Sequence, residues 1–274
     1  MQIKILGSGP AIAIPRPGHR DKTCRDARKP GSRTRRMRSS MLIKYHSRHI
    51  LIDAGPDILE QLQFAHLKYV DAVFLTHAHL EAAGGIEELM MLQRENKEKP
   101  FALYAEKSTF KKVQKSIAPL HINPPRLFKY VKPQIIKPFR SLSLFGLRIT
   151  PFRVEHAMTP GFPTLGFLIG KNFAYASDVA QVPPKSFKLL KGVKILVLDA
   201  AMWFKTKIPA HLNTAEAIEL GKKIGVKKLY LTQIGHNYPP HKIAQQEINK
   251  YCKKQKITFP VILAYDGLKI KINN

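Results

Sequence analysis

The sequence predicts an α/β protein built on mixed sheets, and three observations lead there. Short apolar runs recur along the chain, and each delivers a polar residue at its end: 72–76 reaches His77, 146–154 reaches His156, 173–176 reaches Asp178, 194–198 reaches Asp199 and 228–232 reaches Gln233. That is the pattern of strands lining a site along one sheet edge. Segments 214–224 and 241–254 carry the apolar spacing of amphipathic helices. Runs 41–45 and 49–52, joined by a tight turn, read as a hairpin, and hairpin-like pairs argue against a purely parallel sheet.

Taken in order, residues 2–6 alternate polar and apolar and stop at Gly7-Ser8-Gly9-Pro10, an outer strand ended by a glycine turn. Residues 15–38 hold three prolines, two glycines and a dense set of Arg and Lys, too long a loop to stand without a tether. After the 41–52 hairpin, Pro56 and Asp57 open a helix over 57–66. Residues 86–93 have amphipathic spacing, 101–104 read as a strand and 107–117 as a basic helix. The stretch 119–151 is proline-rich and reads as strands and loops. The second half repeats the logic of the first, with strands 146–154, 165–169, 173–176, 194–198 and 228–232; Asn213 or Thr214 caps the helix that follows. The expectation is one domain over 1–274 with pseudo-symmetric halves, about 1–150 and 151–274.

Composition narrows the function classes. With 44% hydrophobic and 24% charged residues over 274 positions, the chain is globular in composition. Cys24 and Cys252 are too few for a disulfide framework and favour a reducing cytoplasm. No run approaches the roughly 20 apolar residues that cross a bilayer, and Met1-Gln2-Ile3-Lys4 opens no secretory signal. The expectation is a cytoplasmic protein without a membrane partner. Forty-six Lys and Arg against nineteen Asp and Glu leave +27, a field that draws polyanions. A basic host environment gives the same sum.

The most specific signal is Thr76-His77-Ala78-His79-Leu80-Glu81-Ala82-Ala83-Gly84-Gly85. In an extended segment, positions 77 and 79 point to one side, so both imidazoles reach one ion. Zinc accepts such nitrogens and leaves a position open for water in catalytic sites. The alternative is two ordinary polar residues at a strand end.

The order of these segments resembles the metallo-β-lactamase superfamily, an αββα sandwich of two mixed sheets flanked by helices. Its signature is His-X-His-X-Asp-His, then a distant His, an Asp and a last strand-end His. The resemblance implies His77, His79, His156 and Asp178 as ligands of one active-site ion, Zn2+ or Mn2+. It implies Asp53 as the acid that hydrogen-bonds backbone or ligand groups. The chain departs from the signature at the second ion: the Asp is Glu81, the following His is Ala82, and the strand-end His is Gln233. One ion is therefore the expected count.

Within the superfamily the similarity is to the group containing the phosphoribosyl cyclic phosphate phosphodiesterase and the coenzyme-PQQ-biosynthesis protein. It includes Leu6-Gly7-Ser8-Gly9, the basic insertion and Ala210-His211-Leu212-Asn213. It implies that His211 assists at phosphate; the alternative is a histidine that only supports a helix start. It also implies a second, structural zinc on His19, Asp21, Cys24 and His236, with solvent-facing His19 and Asp21 and a buried Cys24 thiol as the alternative. The expected function is metal-dependent hydrolysis of a small anionic phosphate ester, a cyclic phosphate or nucleotide-like diester. Glu81 would take or orient a water proton and His211 would donate to phosphate. Arg16, Arg20 and the Arg33–Arg36 run would concentrate the anion. The other reading is a basic nucleic-acid-binding protein that keeps the fold with little or no catalysis. A homodimer is the base-rate expectation.

Overall fold

The computed structural model describes residues 1–117, 128–156 and 162–272. The alternation at the start of the chain buries Ile3 and Ile5 on one face of β1 (Gln2–Gly7). That strand does not lie at the edge. Lys269 pairs with Lys4 and Lys271 with Gln2, so β14 (Lys269–Lys271) covers its outer side. Three residues from the far end of the chain carry no periodicity from which this pairing could be read.

Two units organise the described residues. The first comprises Met1–Gly7, Arg38–Lys137 and Gly267–Asn274. Its sheet runs β14-β1-β2-β3-β4-β5-β6, with β2 at Ser40–Tyr45, β3 at Arg48–Ile52, β4 at Ala72–Phe74, β5 at Phe101–Ala105 and β6 at Val131–Ile135. The pairs from β14 to β3 are antiparallel and those from β3 to β6 parallel. Pro133 has no N–H to donate and sits in β6, the edge strand, where its loss is tolerated. Helix α2 (Ile58–Ala65) buries Ile58, Leu62 and Ala65 against Leu6, Leu42 and Leu51 of this sheet. Asp57 stands just before it without capping it. Its carboxylate instead takes the Arg38 backbone N–H at 2.7 Å and the Arg38 guanidinium at 2.8 Å. Short α3 (Leu80–Ala83), α4 (Ile86–Glu95) and α5 (Lys107–Ile117) complete the unit.

The second unit comprises Ser8–Met37 and Pro138–Asp266. Its sheet runs β13-β12-β11-β10-β9-β8-β7, with β7 at Leu142–Leu144, β8 at Leu147–Val154, β9 at Thr164–Ile169, β10 at Phe173–Ala176, β11 at Ile195–Asp199, β12 at Lys228–Thr232 and β13 at Val261–Leu263. It is also mixed: antiparallel from β7 to β10, parallel from β10 to β13. Helix α6 (Pro184–Leu190), α7 (Thr214–Ile224) and α8 (His241–Lys254) flank it. Asn213 starts α7 with a full capping box, its side chain accepting from Glu216 N while Glu216 accepts from Asn213 N.

Apart from Arg38, the basic stretch 15–38 belongs to this unit and is tied down by protein groups. It holds α1 (Lys22–Ala27), and Thr23 Oγ1 donates to Tyr238 O at 2.6 Å. Asp26 accepts from Ser32 Oγ and Thr34 Oγ1. The part of the proline-rich reading that falls on 118–127 lies outside the described residues.

Candidate metal centre

In the first unit the His-X-His pair sits one step beyond where the sequence placed it. Strand β4 ends at Phe74, and residues 75–79 form a bend that leads into α3, with His79 extended at φ −69°, ψ 156° as its N-cap. The two imidazoles still lie together, ring centroids 4.6 Å apart and nearly perpendicular. Glu81, in the first turn of α3, brings Oε1 within 3.8 Å of His77 Nε2 and 3.5 Å of His79 Nδ1. Burial raises the Glu81 carboxyl, but contact with His77 and His79 outweighs it and holds the group far below the usual carboxylate range.

Asp53 follows β3 in a left-handed conformation, φ 63°, and is buried. It accepts from Thr76 N at 2.8 Å and from Thr76 Oγ1 at 2.9 Å. That hydroxyl is also 2.8 Å from His77 Nδ1. A carboxylate only accepts, so the hydroxyl proton goes to Asp53 and His77 Nδ1–H donates to the hydroxyl. The His77 proton is thereby fixed on Nδ1, and Nε2 presents its lone pair. Thr76 carries no signal in the sequence, since a threonine at a strand end is ordinary.

In the second unit the ligand atoms of His156, Asp178 and His211 all lie within 4.8 Å of one another. His156 Nδ1 is 2.9 Å from Ala210 O. A carbonyl only accepts, so this ring too carries its proton on Nδ1, and its Nε2 faces Asp178 Oδ1 at 4.0 Å. Asp178 accepts from Ser177 Oγ at 2.5 Å on one oxygen and from Gln233 Nε2 at 2.5 Å on the other. Gln233 thus supplies a partial positive charge to Asp178 in place of a cation-binding imidazole.

Asp199, read from sequence only as a strand-end acid, holds His211. Its Oδ2 is 2.6 Å from His211 Nδ1, and it accepts from Val179 N at 2.7 Å and Ala201 N at 2.8 Å. Full burial pushes its carboxyl up to about 6, against the pull of His211. The His211 ring centroid lies 4.7 Å from that of His156.

A second cluster in this unit gathers His19, Asp21, Cys24 and His236, with ligand atoms also within 4.8 Å of one another. Asp21 Oδ2 is 2.8 Å from His236 Nε2, while Oδ1 caps α1 by accepting from Cys24 N at 3.0 Å. Those two contacts, the Cys24 N–H first, hold the Asp21 carboxyl well below its usual range. Cys24 is fully buried. Among the arginines read as anion-concentrating, Arg36 is not free to serve. It is buried, donating to Ser8 Oγ at 2.6 Å and Ala264 O at 2.5 Å, with His241 Nδ1 at 3.2 Å. Its charge organises the loop instead.

Residues 48–234 match the family model described as the beta-lactamase superfamily domain. The chain belongs to this family. The two mixed sheets flanked by helices are its metallo-β-lactamase fold. A crystal structure described as a new diphosphatase from the PhnP family is 26% identical, with a TM-score of 0.82 over 99% of this chain and 98% of that one. Zn2+-bound PqqB from Methylobacterium extorquens shares the fold at 22% identity and a TM-score of 0.78, over 99% of this chain and 100% of that one. An octanoyltransferase of Porphyromonas gingivalis is 27% identical over 277 residues, 99% of this chain but 53% of that protein. The metallo-β-lactamase-fold chain therefore spans about half the length of that relative.

Proposed function

We propose that the protein is a metal-dependent hydrolase of a small phosphodiester or cyclic phosphate, with one ion bound by His77, His79, His156 and Asp178. The observation that carries this reading is the pair of acceptors His156 Nε2 and Asp178 Oδ1, 4.0 Å apart, with the histidine proton pinned on the far nitrogen. A cation held between that imidazole nitrogen and the carboxylate oxygen, which also accepts from Gln233 Nε2, would stabilise both. His77, with its proton on Nδ1, is preset in the same way. Three imidazoles and a carboxylate suit zinc, with manganese as the alternative.

When bound, such an ion acidifies water and screens charge developing at phosphorus. Glu81 orients that water or takes its proton. His211, held by Asp199, donates to a phosphate oxygen or protonates the departing oxygen. The Gln233 amide on Asp178 supports a single ion. His19, Asp21, Cys24 and His236 hold a second, structural zinc that clips the basic loop. The diphosphatase relative and the net charge of +27 favour phosphate esters over thioesters or lactams.

Hydrolysis of bis(p-nitrophenyl) phosphate and of 2′,3′-cyclic nucleotides tests the proposal. His211→Ala is expected to lower kcat by about 10²-fold or more with metal content unchanged. Bound metal without turnover on either substrate class overturns it. That result favours the second reading, a basic nucleic-acid-binding protein retaining the fold, which rests on the same excess of positive charge.

A further inference from the structure

A pocket in the first unit, away from the His77 cluster, gathers positive charge. It has a volume of about 250 Å³ and is lined by Gln2, Lys4, Lys44, Ala65, His66 and Lys269. It lies beside the end of α2 at Ala65. The register sets the charges side by side: Lys4 faces Lys269 across β1 and β14, and Gln2 faces Lys44 across β1 and β2. Like charges directly opposed in a sheet are destabilising, and among the described residues no carboxylate lines the pocket to relieve them. Burial lowers the Lys4 ammonium below its usual value, and Lys269 and Lys44 lower it further.

The floor is fixed in advance. Lys4 Nζ donates to Phe64 O at 3.0 Å and lies 4.3 Å from the centre of the Phe64 ring. That ring is backed by Gly267, where an added Cβ would meet it at 2.9 Å. The pocket also stands apart from the His77 cluster within its own unit. Lys44 pairs with His49 at the start of β3, whereas Asp53 follows the end of that strand. Four residues of strand separate them, about 13 Å.

We infer that Lys4, Lys44, Lys269 and His66 form a binding site for a small phosphate-bearing anion carrying two or more negative charges. Three ammonium groups around one concavity match several oxygens on a polyvalent group, and a single carboxylate would leave most of the repulsion uncompensated. The volume admits a diphosphate or a phosphorylated sugar.

Calorimetric titration of the full chain with inorganic pyrophosphate at low ionic strength tests this. Lys44→Met/Lys269→Met is expected to weaken binding by about tenfold or more. Lys191→Met/Lys194→Met, with the same change in net charge at exposed positions of the other unit, is expected to weaken it less than about threefold. Any pyrophosphate held by an active-site ion registers alike in all three proteins. Lys269→Glu alone, at an exposed position, is expected to act in the same direction without loss of folding. Equal weakening by both double variants, or none by the first, overturns the site. So does a single-stranded oligonucleotide whose binding needs Lys44 and Lys269 when pyrophosphate does not bind.

Discussion

The tautomer of His77 depends on one hydroxyl, that of Thr76. Thr76→Val preserves shape and removes the group that passes the proton preference from Asp53 to the ring. The expected result is a 10- to 100-fold loss of metal affinity, on the order of other residues that orient a ligand. A competitive chelator titration reads it; unchanged affinity would dissociate Asp53 and Thr76 from metal binding. Asp199 does the corresponding work for His211. Asp199→Asn is expected to lower kcat by roughly 10- to 100-fold, with KM and metal content little changed. A fall in metal content instead would make Asp199 part of the metal support. The histidines were legible because their spacing is itself a signal. Thr76 and Asp199 were not, because their roles depend on hydrogen bonds to His77 and, twelve residues away, His211. Gln233 was legible only as a missing imidazole; its bond to Asp178 spans 55 positions.

Between single residues and the sheets, the loops after β3 and β4 are zipped backbone to backbone. Ala54 N donates to Ala82 O at 2.7 Å and Gly85 N to Ala54 O at 2.8 Å. A Cβ on Gly55 would stand 2.1 Å from Glu81 O, so nothing larger than glycine fits. Gly55→Ala should therefore cost about 2 kcal/mol or more in chemical denaturation and weaken metal binding, since the displaced backbone carries Glu81. An alanine variant as stable as the parent would remove the zipper from the account. At the start of α8, His241 accepts from Arg36. Burial first, then Arg36 and Arg33, against a smaller opposing effect of Asp26, push its imidazole down to about 3. Folded His241 is thus harder to protonate than the unfolded chain's histidine, ordinarily near 6.5. Its contribution is intact above about pH 6.5 and is lost as pH falls toward 3. His241→Asn keeps an acceptor that does not titrate there. Between pH 7 and pH 4.5 it should lose about 2 kcal/mol less stability than the parent; parallel losses would contradict the assignment.

Helices 107–117, 214–224 and 241–254 were read to their observed ends because each gives several turns of period. Strands β7, β13 and β14 have three residues each, too few for alternation to show; β7 pairs with the adjacent β8, whereas β13 and β14 are held by partners distant in sequence. Helix α6, seven residues beginning at Pro184, is too short to show a helical period in the sequence.

At the scale of the whole molecule, the fold class was legible because it rests on a repeated motif, an apolar strand ending in a polar group, and not on any one boundary. The net charge of +27 has a different kind of consequence. It acts through a field, so oligonucleotide binding should be indifferent to sequence and fall steeply as salt rises from about 50 to 200 mM. Strong sequence preference that survives salt would point to a dedicated nucleic-acid site. No helix among the described residues is long and apolar enough to cross a membrane.

The proposed single ion on His77, His79, His156 and Asp178 is most directly tested by elemental analysis of the purified chain beside His79→Ala, His156→Ala, their double variant and Cys24→Ala. The account predicts about two ions in the parent and about one in each single variant. It also predicts about one in the double variant, because both histidines hold the same ion. A double variant that loses two ions, or a His156→Ala protein that keeps both, would contradict it.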